Sequence, residues 1–415
     1  NKGEPLWMKN FRLNSYKKFL ELDNPSFGPK INIDFDNLVY HKGLFAPPSC
    51  SWENVDKKVK NTFNDLGVIE AENKYLKGVS NQYESEVVYH KMEESDGIIF
   101  LSTDEALKKY PKLFEKYFNN LVKYDENKYT ALNGALWSGG SFIYIPPYTK
   151  VDRPLQSYFR IDTKNLGQFE RTIIIVDHDS SLHYIEGCTA KNYSTTSLHA
   201  GVVEIYVGKN STCKYSTIQN WSKDVYNLVT KRAILEEGAY MQWVDGNIGS
   251  GVTMKYPSCI LKGDNSKASS ISIAYAKEGQ HLDAGAKMIH LGKNTKSTII
   301  SKSIAGFGGT SDYRGTVKIA KDATGSFATI KCDNIILDNI SSSNTYPKNI
   351  VENNESTLEH EATISKINEE KLNYLMSLGI SEDAAKDLYV LGFMSDFKKS
   401  LPMEYAVELN RLIKE

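Results

Sequence analysis

Residues 201–238, GVVEIYVGKNSTCKYSTIQNWSKDVYNLVTKRAILEEG, contain the pattern that decides the fold. Short runs rich in Val, Ile, Tyr and Thr alternate with polar turns, first at Gly208-Lys209-Asn210 and then at Glu236-Glu237-Gly238. Runs of β-branched and aromatic residues that end at Gly, Asn or charged residues are typical of β-strands. The stretch therefore predicts successive coils of a β structure, with a turn that recurs after 28 residues.

The same turn spacing continues on both sides of this stretch. Turns at positions 178, 208, 236, 263, 292 and 322 are separated by 30, 28, 27, 29 and 30 residues. A repeat of this length over six units indicates a solenoid, and the lack of a helical pattern inside the units favours a β-helix. A β-sandwich with evenly spaced hairpins is the alternative.

Helical patterns flank the β region. Pro5 marks the start of one helix, and a second begins at Ser102 and continues with apolar residues to Phe118. Near the C-terminus, Gly379 separates two helices and Ser381 caps the second. We therefore expect a mainly β protein in three parts: an N-terminal α/β region (1–135), a β-helix core (136–362) and a C-terminal helical domain (363–415).

Composition excludes several classes of protein. The 50 Lys and Arg nearly balance the 51 Asp and Glu, so no electrostatic footprint for nucleic acid or an anionic membrane is present. The apolar runs are far shorter than the ~20 residues of a membrane-spanning helix.

Five cysteines without a CxxC pair favour a reducing compartment. We expect a cytoplasmic protein; because the chain starts at Asn1, an upstream segment and a plastid-type organelle are the alternative.

One candidate site combines a cysteine with a His flanked by carboxylates. His360 lies between Glu359 and Glu361, and Cys332 is 28 residues upstream, close to one solenoid period. On adjacent coils, about 4.8 Å apart, these side chains could be neighbours. A thiolate, an imidazole and carboxylates would make an iron-binding set. The alternative is a solvated Glu-His-Glu turn and a buried core Cys.

A second candidate is Cys188, which follows a strand and lies close to Glu186. It is either a reactive thiol or a small core residue. Cys188 and Cys332 are 144 residues apart, or about five periods, which predicts roughly 24 Å along the solenoid axis. The two thiols cannot bind one cluster in one molecule, so if both function, something must travel between them.

Four polar side chains in the β region could form a path between the cysteines. Each is a surface residue by default, but pointing inward the set would make a polar route through an apolar core, which is costly unless the groups are paired or hydrated. The four residues are Arg160, Gln219, Trp221 and Lys231.

Other catalytic motifs are missing from the sequence. There is no GxxxxGK[ST], so we do not expect the chain to hydrolyse nucleotides, and there is no HExxH. A β-helix enzyme acting on carbohydrates would need paired carboxylates along a groove, and Asp177 with Asp179 is the one tempting local pair.

In its motifs and in long stretches of sequence, the chain closely resembles the SufB/SufD family, the scaffold proteins of the SUF iron–sulfur cluster assembly system. The resemblance covers nearly the whole chain and is carried by long stretches: LNGALWSGGSFIYIP, PLQSYFRID, GQFERTIIIVD, YIEGCTA, KYSTIQNW, LVTKRA, KYPSCILKGDNS, KMIHLGKNTKSTIISKSI, YRGTVKI and LEHEATISKI. EGCTA and LEHEAT are typical of the SufB branch, which argues against a purely structural SufD-like chain.

The resemblance implies a right-handed parallel β-helix between helical regions and assigns roles to the candidates. Cys332 corresponds to the cluster-assembly cysteine, with Glu359, His360 and Glu361 as its partners. Cys188 corresponds to the cysteine that accepts sulfur. The four polar residues named above correspond to residues implicated in a sulfur path through the β-helix.

The resemblance also implies partners and cargo. The chain would be an assembly scaffold and not an enzyme, building a transient iron–sulfur cluster (4Fe-4S or 2Fe-2S), with flavin as a further possibility. Its C-terminal helices would dock the SufC ATPase, and its other partners would be SufD or a second SufB-type chain, the sulfur donor of a desulfurase relay, and apo acceptor proteins. No nucleic acid or membrane partner is expected.

Two departures from the family pattern bear on these roles. Asp162 occupies a position where many relatives have Asn, which would alter the charge near the proposed path. Residues 338–350 lack a further Cys that relatives commonly have, so the geometry between Cys332 and His360 is less fixed by the resemblance.

Overall fold

The computed structural model describes residues 3–43, 48–93, 97–191, 196–395 and 397. The helices are α1 (Leu6–Glu21), a 3-10 turn (Trp52–Asn54), α2 (Lys57–Asp65), α3 (Val68–Tyr75), α4 (Thr103–Lys109), α5 (Pro111–Tyr117), α6 (Lys128–Leu136), α7 (Glu369–Ser377) and α8 (Glu382–Phe393). Within the described ranges, no helix has the length and apolar character needed to cross a membrane.

The described residues form twenty-two strands, of which the first three lie among the N-terminal helices and the rest lie between α6 and α7. They are β1 (Gly78–Tyr83), β2 (Glu86–Met92), β3 (Ile99–Ser102), β4 (Ser141–Ile145), β5 (Leu155–Ile161), β6 (Gly167–Gln168), β7 (Arg171–Val176), β8 (Ser181–Ala190), β9 (Ser197–His199), β10 (Val202–Val207), β11 (Thr212–Asn220), β12 (Val225–Leu235), β13 (Tyr240–Ile248), β14 (Val252–Lys255), β15 (Ser258–Leu261), β16 (Lys267–Ala276), β17 (His281–His290), β18 (Lys296–Ala305), β19 (Thr310–Ile319), β20 (Phe327–Ile336), β21 (Ser342–Val351) and β22 (Thr357–Lys366).

Two sheets form the walls of a β-solenoid of about eight turns, which confirms the predicted β-helix. The first sheet has the order β2-β1-β5-β8-β11-β13-β16-β18-β20-β22. The second follows β21-β19-β17-β14-β12-β10-β7-β4-β3, with β15, β6 and β9 beside this path. Among the described strands, all pairings are parallel except β1 with β2 and β3 with β4.

One corner of the solenoid explains the repeat seen in the sequence. On successive coils the chain turns through a residue with left-handed backbone, at positions 148, 179, 210, 238, 265, 294 and 325. Most of these residues are Asn, Asp or Gly, which adopt positive φ at low cost. The periodic polar turns of the sequence are therefore the corners of the coil.

Proline residues and a serine cap set the boundaries of the flanking helices. Pro5 precedes α1, as predicted. The helix predicted from Ser102 is two helices, because Pro111 cannot continue α4 and instead starts α5. Ser381 caps α8 through its hydroxyl, which accepts from the Ala384 amide at 3.4 Å. Residues 401–415 of the expected C-terminal domain lie outside the described residues.

Side chains alternate between the inside of the solenoid and its outer faces. The inner faces of both sheets contribute one long apolar cluster that includes Tyr184, Trp243 and Cys332. Helices α1 and α6 cover the outer face of the second sheet, and α8 packs through Val390 and Met394 on the outer face of the first. The interior is thus closed to solvent along most of its length, and polar groups inside it need a specific reason.

Candidate functional site

Cys188 lies near the end of β8, on the inner face of the first sheet, and is 1% exposed. Its Sγ is 3.8 Å from Glu186 Oε1. Burial raises the pKa of the Cys188 thiol well above its ordinary value; Glu186 and Glu170 raise it further, and Lys231 and Lys255 oppose them. The resting group is therefore a thiol beside a carboxylate that can accept its proton.

The Glu186 carboxylate is shared by two further buried groups. Lys231 Nζ donates to its Oε1 at 3.2 Å, and the Tyr215 hydroxyl donates to its Oε2. The Lys231 ammonium also lies 4.5 Å from the centre of the Tyr215 ring. Burial disfavours the ammonium, but Glu186 and Asp245 outweigh this, so the pKa of Lys231 is raised. A buried cation is thus held close to Cys188.

A second buried ion pair lies further along the solenoid. Lys255 Nζ donates to Asp245 Oδ1 at 2.8 Å and to Gln219 Oε1 at 3.1 Å. The Thr217 hydroxyl donates to the same Asp245 oxygen at 2.8 Å. Although burial disfavours the carboxylate, Lys255 and Lys231 together hold the pKa of Asp245 below its ordinary value. Gln219 therefore lies inside the solenoid, as the path prediction requires.

A buried histidine joins this network from the second sheet. His199 Nε2 is 2.7 Å from Glu170 Oε1, and its Nδ1 is 2.8 Å from Asn227 Oδ1. Asn227 Nδ2 in turn donates to Gln219 Oε1 at 2.8 Å. The Trp221 ring is buried, with its centre 4.7 Å from that of His199. Polar contacts thus run without a break from His199 to the Lys255 ion pair.

Cross-strand register connects Glu186, which lies beside Cys188, with Cys332. In the first sheet, Glu186 pairs with Thr217 on the next strand, and each further strand adds one residue to the same position on the inner face. We name this row the polar column, and it consists of Glu186, Thr217, Asp245, Ser272, Ser301 and Cys332. Its six strands span roughly 24 Å. The Ser272 hydroxyl donates to the Ser301 hydroxyl at 3.3 Å.

Several polar atoms beside the column are buried and make no hydrogen bond with any described residue. They are Gln219 Nε2, Asp245 Oδ2, Asn247 Oδ1 and Asn334 Oδ1. Buried polar atoms without a protein partner are normally satisfied by water or ions. The interior is therefore chemically suited to small polar species on β11 and β13 and again on β20, beside Cys332.

Cys332 lies on β20 and has no exposed surface. Burial raises the pKa of its thiol to about 12; the neighbouring Tyr313 hydroxyl opposes this shift, and Asp333 adds to it. On the last strand, the residue paired with Cys332 is Ala362, and His360 pairs with Ile330. Because side chains two residues apart share a face, His360 lies diagonal to Cys332 on the inner side.

His360 is oriented towards the interior by Asn349. The Asn349 Nδ2 and His360 Nδ1 atoms are 3.1 Å apart, and His360 Nε2 is a buried atom without a partner among the described residues. Burial lowers the pKa of His360, which favours the neutral imidazole that binds metals. Cys332 and His360 can therefore supply sulfur and nitrogen ligands from the same face.

The flanking carboxylates point the other way. Glu359 and Glu361 alternate with His360 and are exposed on the outer face, where Glu361 lies 3.8 Å from Lys331. Consistent with this, no three His, Cys, Asp or Glu side chains converge on a possible metal position anywhere in the described part of the chain. The structure brings together Cys332 and His360 but not the two glutamates.

Arg160 differs from the other three residues of the predicted path. It alternates with the inward Phe159 and lies on the outer face of β5, where it donates to Thr189 Oγ1 at 3.2 Å and to Asp162 Oδ1 at 3.1 Å. Asp162, the departure noted in the sequence, also accepts from the Tyr83 hydroxyl at 2.9 Å. Arg160 therefore supports the outside of the wall that holds Cys188.

The carboxylate pair considered for carbohydrate chemistry belongs to a corner turn. Asp177 accepts hydrogen bonds from the Tyr144 hydroxyl and the His178 amide, and Asp179 is engaged by His178 and Asn210. Both carboxylates thus stabilise the turn, which explains their spacing without a catalytic role.

The C-terminal helices contact the outer face behind the column. Lys302 Nζ donates to the Phe393 carbonyl at 2.8 Å and lies 4.9 Å from the centre of its ring. Lys302 is the neighbour of Ser301 on β18, so α8 is attached directly to a strand of the column. A pull on α8 would act on that strand.

Sequence reasoning did not single out Glu170, His199, Asp245, Lys255 or the serines of the column. The available signal was the two-residue alternation of inward and outward side chains along each strand. On consecutive coils, polar residues occupy inward positions of strands whose other inward residues are apolar. Alignment of the coils by their corner turns would have placed Asp245, Ser272 and Ser301 in one row with Cys332, but not Glu170, His199 or Lys255, which lie outside that row.

Two family models match the chain. The SUF system FeS cluster assembly SufBD core domain matches residues 159–393, and the SufBD protein N-terminal region matches residues 54–157. The core match includes both cysteines, the polar column and α8.

Curated bacterial proteins are similar over the full length of the chain. The iron-sulfur cluster assembly protein SufB of Bacillus subtilis is 54% identical over 417 residues, which cover all of this chain and 90% of that protein. SufBD family proteins of Staphylococcus saprophyticus and Staphylococcus aureus strain MRSA252 are 54% and 55% identical over the same coverage.

Proposed function

The chain belongs to the SufBD family of SUF-system iron–sulfur cluster assembly proteins, and from this premise we propose that it is the scaffold on which sulfur and iron are combined before the cluster passes to acceptor proteins. The observation that supports this best is the polar column, which joins the surroundings of one buried thiol to a second thiol roughly 24 Å away. Two buried ion pairs, Glu186 with Lys231 and Asp245 with Lys255, lie on the same line.

Sulfur acceptance occurs at Cys188. Glu186 takes the thiol proton, and the resulting thiolate attacks the terminal sulfur of a donor persulfide, so that the donor leaves as a thiolate and Cys188 becomes a persulfide. Lys231, 3.2 Å from Glu186 Oε1, stabilises the negative charge of the Cys188 thiolate before the attack, and this charge leaves with the donor thiolate.

Sulfur then moves along the interior. The polar column contains no thiol between Glu186 and Cys332, so we propose that sulfur travels as hydrosulfide. Its release consumes two thiols of an external reductant: the neutral persulfide gains two electrons, the products are the Cys188 thiolate, hydrosulfide and two protons, and the reductant becomes a disulfide. Lys255 and the serine hydroxyls offer charge and hydrogen bonds on the way.

Iron and sulfur meet at Cys332. Cys332 and His360 supply two ligands from the inner face, and Glu359 or Glu361 joins them after movement of β22. Few ligands of mixed type suit a protein that must give its cluster away, whereas a permanent electron carrier needs a fully ligated cluster. The cluster is cargo here, as a 4Fe-4S or 2Fe-2S species; flavin binding stays a prediction.

The partners follow from the same assignment. The C-terminal helical domain, residues 363–415, docks the SufC ATPase, and ATP binding there pulls on α8 and on the strand attached to it by Lys302. The open last coil pairs with SufD or with a second copy of the chain. The chain itself hydrolyses nothing, and its compartment is the cytoplasm or a plastid-type organelle.

Anaerobic reconstitution with iron and sulfide tests the assignment. The wild-type chain should gain visible charge-transfer absorption and bound iron, and Cys332→Ala should lose both while its circular dichroism and SufC binding stay unchanged. Cys259→Ala is the matched control, because Cys259 is an equally buried thiol outside the column. Equal absorption in the wild type and Cys332→Ala would place the site elsewhere.

A further inference from the structure

Residues 22–28, which follow α1, pass over the outer face of the second sheet. Lys128 Nζ donates to the Leu22 carbonyl at 2.9 Å, which fixes the start of this segment to α6. Gly28 fixes its end on β14: its φ is 78°, and a Cβ there would lie 2.9 Å from Met254 Cε. Only a residue without a side chain can approach the sheet this closely. Between the two anchors, the segment encloses a cavity of about 540 Å³ against the sheet, which we name the outer cavity.

Apolar and aromatic side chains form one wall of the outer cavity. They are Phe27 from the segment itself, and Leu228, Met254 and Tyr256 from the sheet. The ring centres of Phe27 and Tyr256 are 6.2 Å apart, and the rings are tilted by 49°. A cavity of this volume, with mainly apolar walls and few polar groups, has the character of a small-molecule site, and its rings suit a flat ligand.

A second wall of the outer cavity carries charge. Lys287 lines it, and the Lys287 ammonium forms no hydrogen bond or ion pair with any described residue. The Glu126 carboxylate is already held by Arg232, with two N–O distances of 2.8 Å. Asp23, the other carboxylate of the lining, is exposed to solvent. Burial and Arg232 lower the pKa of Lys287, Glu126 opposes this, and Lys348 lowers it further. The cavity therefore presents an uncompensated positive charge.

An aromatic ring and this charge lie side by side on β17. The Tyr256 ring covers Gly285, where a Cβ would be only 3.1 Å from Tyr256 Cδ1. Lys287 is two residues further along the same face of that strand, roughly 7 Å away. A flat ring packed against Tyr256 therefore directs an anionic substituent to the Lys287 ammonium, where a charge-assisted bond can form.

We propose that the outer cavity binds a small aromatic anion, in which one or two fused rings carry a phosphate or carboxylate group. The ring packs against Tyr256 and Phe27, and the anionic group binds Lys287. The site is separate from the proposed sulfur and iron chemistry, because β12 turns Arg232 towards this cavity and Lys231 towards the interior. Binding is reversible and involves no covalent step.

Isothermal titration calorimetry of the full chain tests this with defined probes. Naphthyl phosphate and naphthoate carry both the ring and the charge, whereas naphthol and inorganic phosphate each lack one of them. We expect the two aromatic anions to bind at least about tenfold more tightly than naphthol or inorganic phosphate, since loss of a bond to a charged group costs at least this factor.

Lys287→Met keeps an unbranched side chain of similar length and removes its charge, so it should weaken the binding of both aromatic anions at least about tenfold. Lys318→Met is the matched control. Lys318 lies on the same face of the sheet but outside the cavity lining, and it is paired with Glu352 at 3.0 Å. Neither lysine is buried, so both variants should unfold at nearly the same temperature as the wild type.

Binding of the aromatic anions that is lost in Lys287→Met and kept in Lys318→Met supports the proposal, and the tighter of the two probes identifies the anionic group. No binding of either probe overturns it, and so does equal binding in the two variants, because the anion would then lie elsewhere. Naphthol that binds as tightly as the anions also overturns it, since the cavity would then be merely apolar. None of these outcomes depends on whether the chain assembles a cluster, so failure here is distinguishable from failure of the proposed function.

Discussion

Glu186 and Cys332 occupy opposite ends of one cross-strand row inside the first sheet, five strands apart. Parallel pairing in register places them in the same row, because each strand adds one inward side chain at the same position along the strand direction. The two residues make no contact with each other. Glu186, which lies beside the Cys188 thiol, and the Cys332 thiol are thereby linked by the geometry of the coil itself. The side chains between them determine what can pass.

Ser301→Val should interrupt the row at its last hydroxyl before Cys332. The two added methyl groups make this part of the interior apolar and remove the acceptor of the Ser272 hydroxyl. We expect normal persulfide formation at Cys188 and at least tenfold slower appearance of sulfur at Cys332, followed by mass spectrometry after charging with a persulfide donor.

Thr298→Val is the control for this substitution, because Thr298 lies on the exposed face of the same strand. Overpacking of the interior costs about 1–3 kcal/mol, so the unfolding midpoint of both variants is measured in parallel. Equal transfer rates in wild type, Thr298→Val and Ser301→Val would mean that sulfur does not follow the column.

Lys231→Met should destabilise the fold strongly. Both members of the Lys231–Glu186 pair are almost fully buried, so the substitution leaves a carboxylate without its cation, at a cost of about 3–5 kcal/mol. Urea unfolding measures the loss. The surface pair of Lys209 and Glu237 gives the control, since Lys209→Met breaks a solvent-exposed ion pair and should leave the unfolding midpoint nearly unchanged.

A double variant separates charge from packing. Lys231→Met combined with Glu186→Leu removes both charges, and it should recover a large part of the stability lost in Lys231→Met. If the double variant is as unstable as the single one, the cost lies in packing and the ion pair is not what stabilises this region.

The fold was largely predictable because its signal is repeated. Each coil has the same corner chemistry, so positions such as Asn210 and Asn294 reveal the period even where individual strands are ambiguous. The same period correctly placed Cys332 and His360 on adjacent coils. Glu361 was not brought within reach of Cys332. It follows His360 directly on the strand, and a difference of one residue places a side chain on the opposite face.

The buried network was harder to predict for a different reason. Lys255 and Asp245 are ten residues apart on different sheets, and only the three-dimensional coil brings them to 2.8 Å. Likewise, nothing in the sequence separates an inward Lys231 from an outward Arg160. Such pairings depend on register between sheets, which a single sequence does not fix.

His199 should make stability depend on pH near neutrality. Burial disfavours its imidazolium, but Glu170 and Asn227 outweigh this, so the pKa of His199 is raised in the folded chain above about 6.5. The stabilisation is therefore fully present below pH 6.5 and is lost as the pH rises through the folded value, with a limiting slope of about 1.4 kcal/mol per pH unit. Urea unfolding of the wild type and His199→Gln between pH 5.5 and 9 should show a difference that shrinks as pH rises. A constant difference would contradict the charged pair.

Strand β22 should move when iron binds. Among the described strands it pairs with β20 alone, and Glu361 on it is 67% exposed on the outer face, opposite to Cys332. A carboxylate can join Cys332 and His360 only if the strand twists locally, since a register shift of one residue would turn Glu361 inward but His360 outward. Hydrogen exchange of the β22 amides should therefore change on anaerobic loading with iron and sulfide.

Strand β16 serves as the internal control for that exchange experiment, because it is paired on both sides in the middle of the sheet and should be unaffected. Glu361→Gln should keep the fold and reduce iron retention, although the side chain makes no contact with Cys332 at rest. A cluster that forms normally with unchanged exchange in β22, and equally in Glu361→Gln, would show that Cys332 and His360 assemble it without the outer carboxylates.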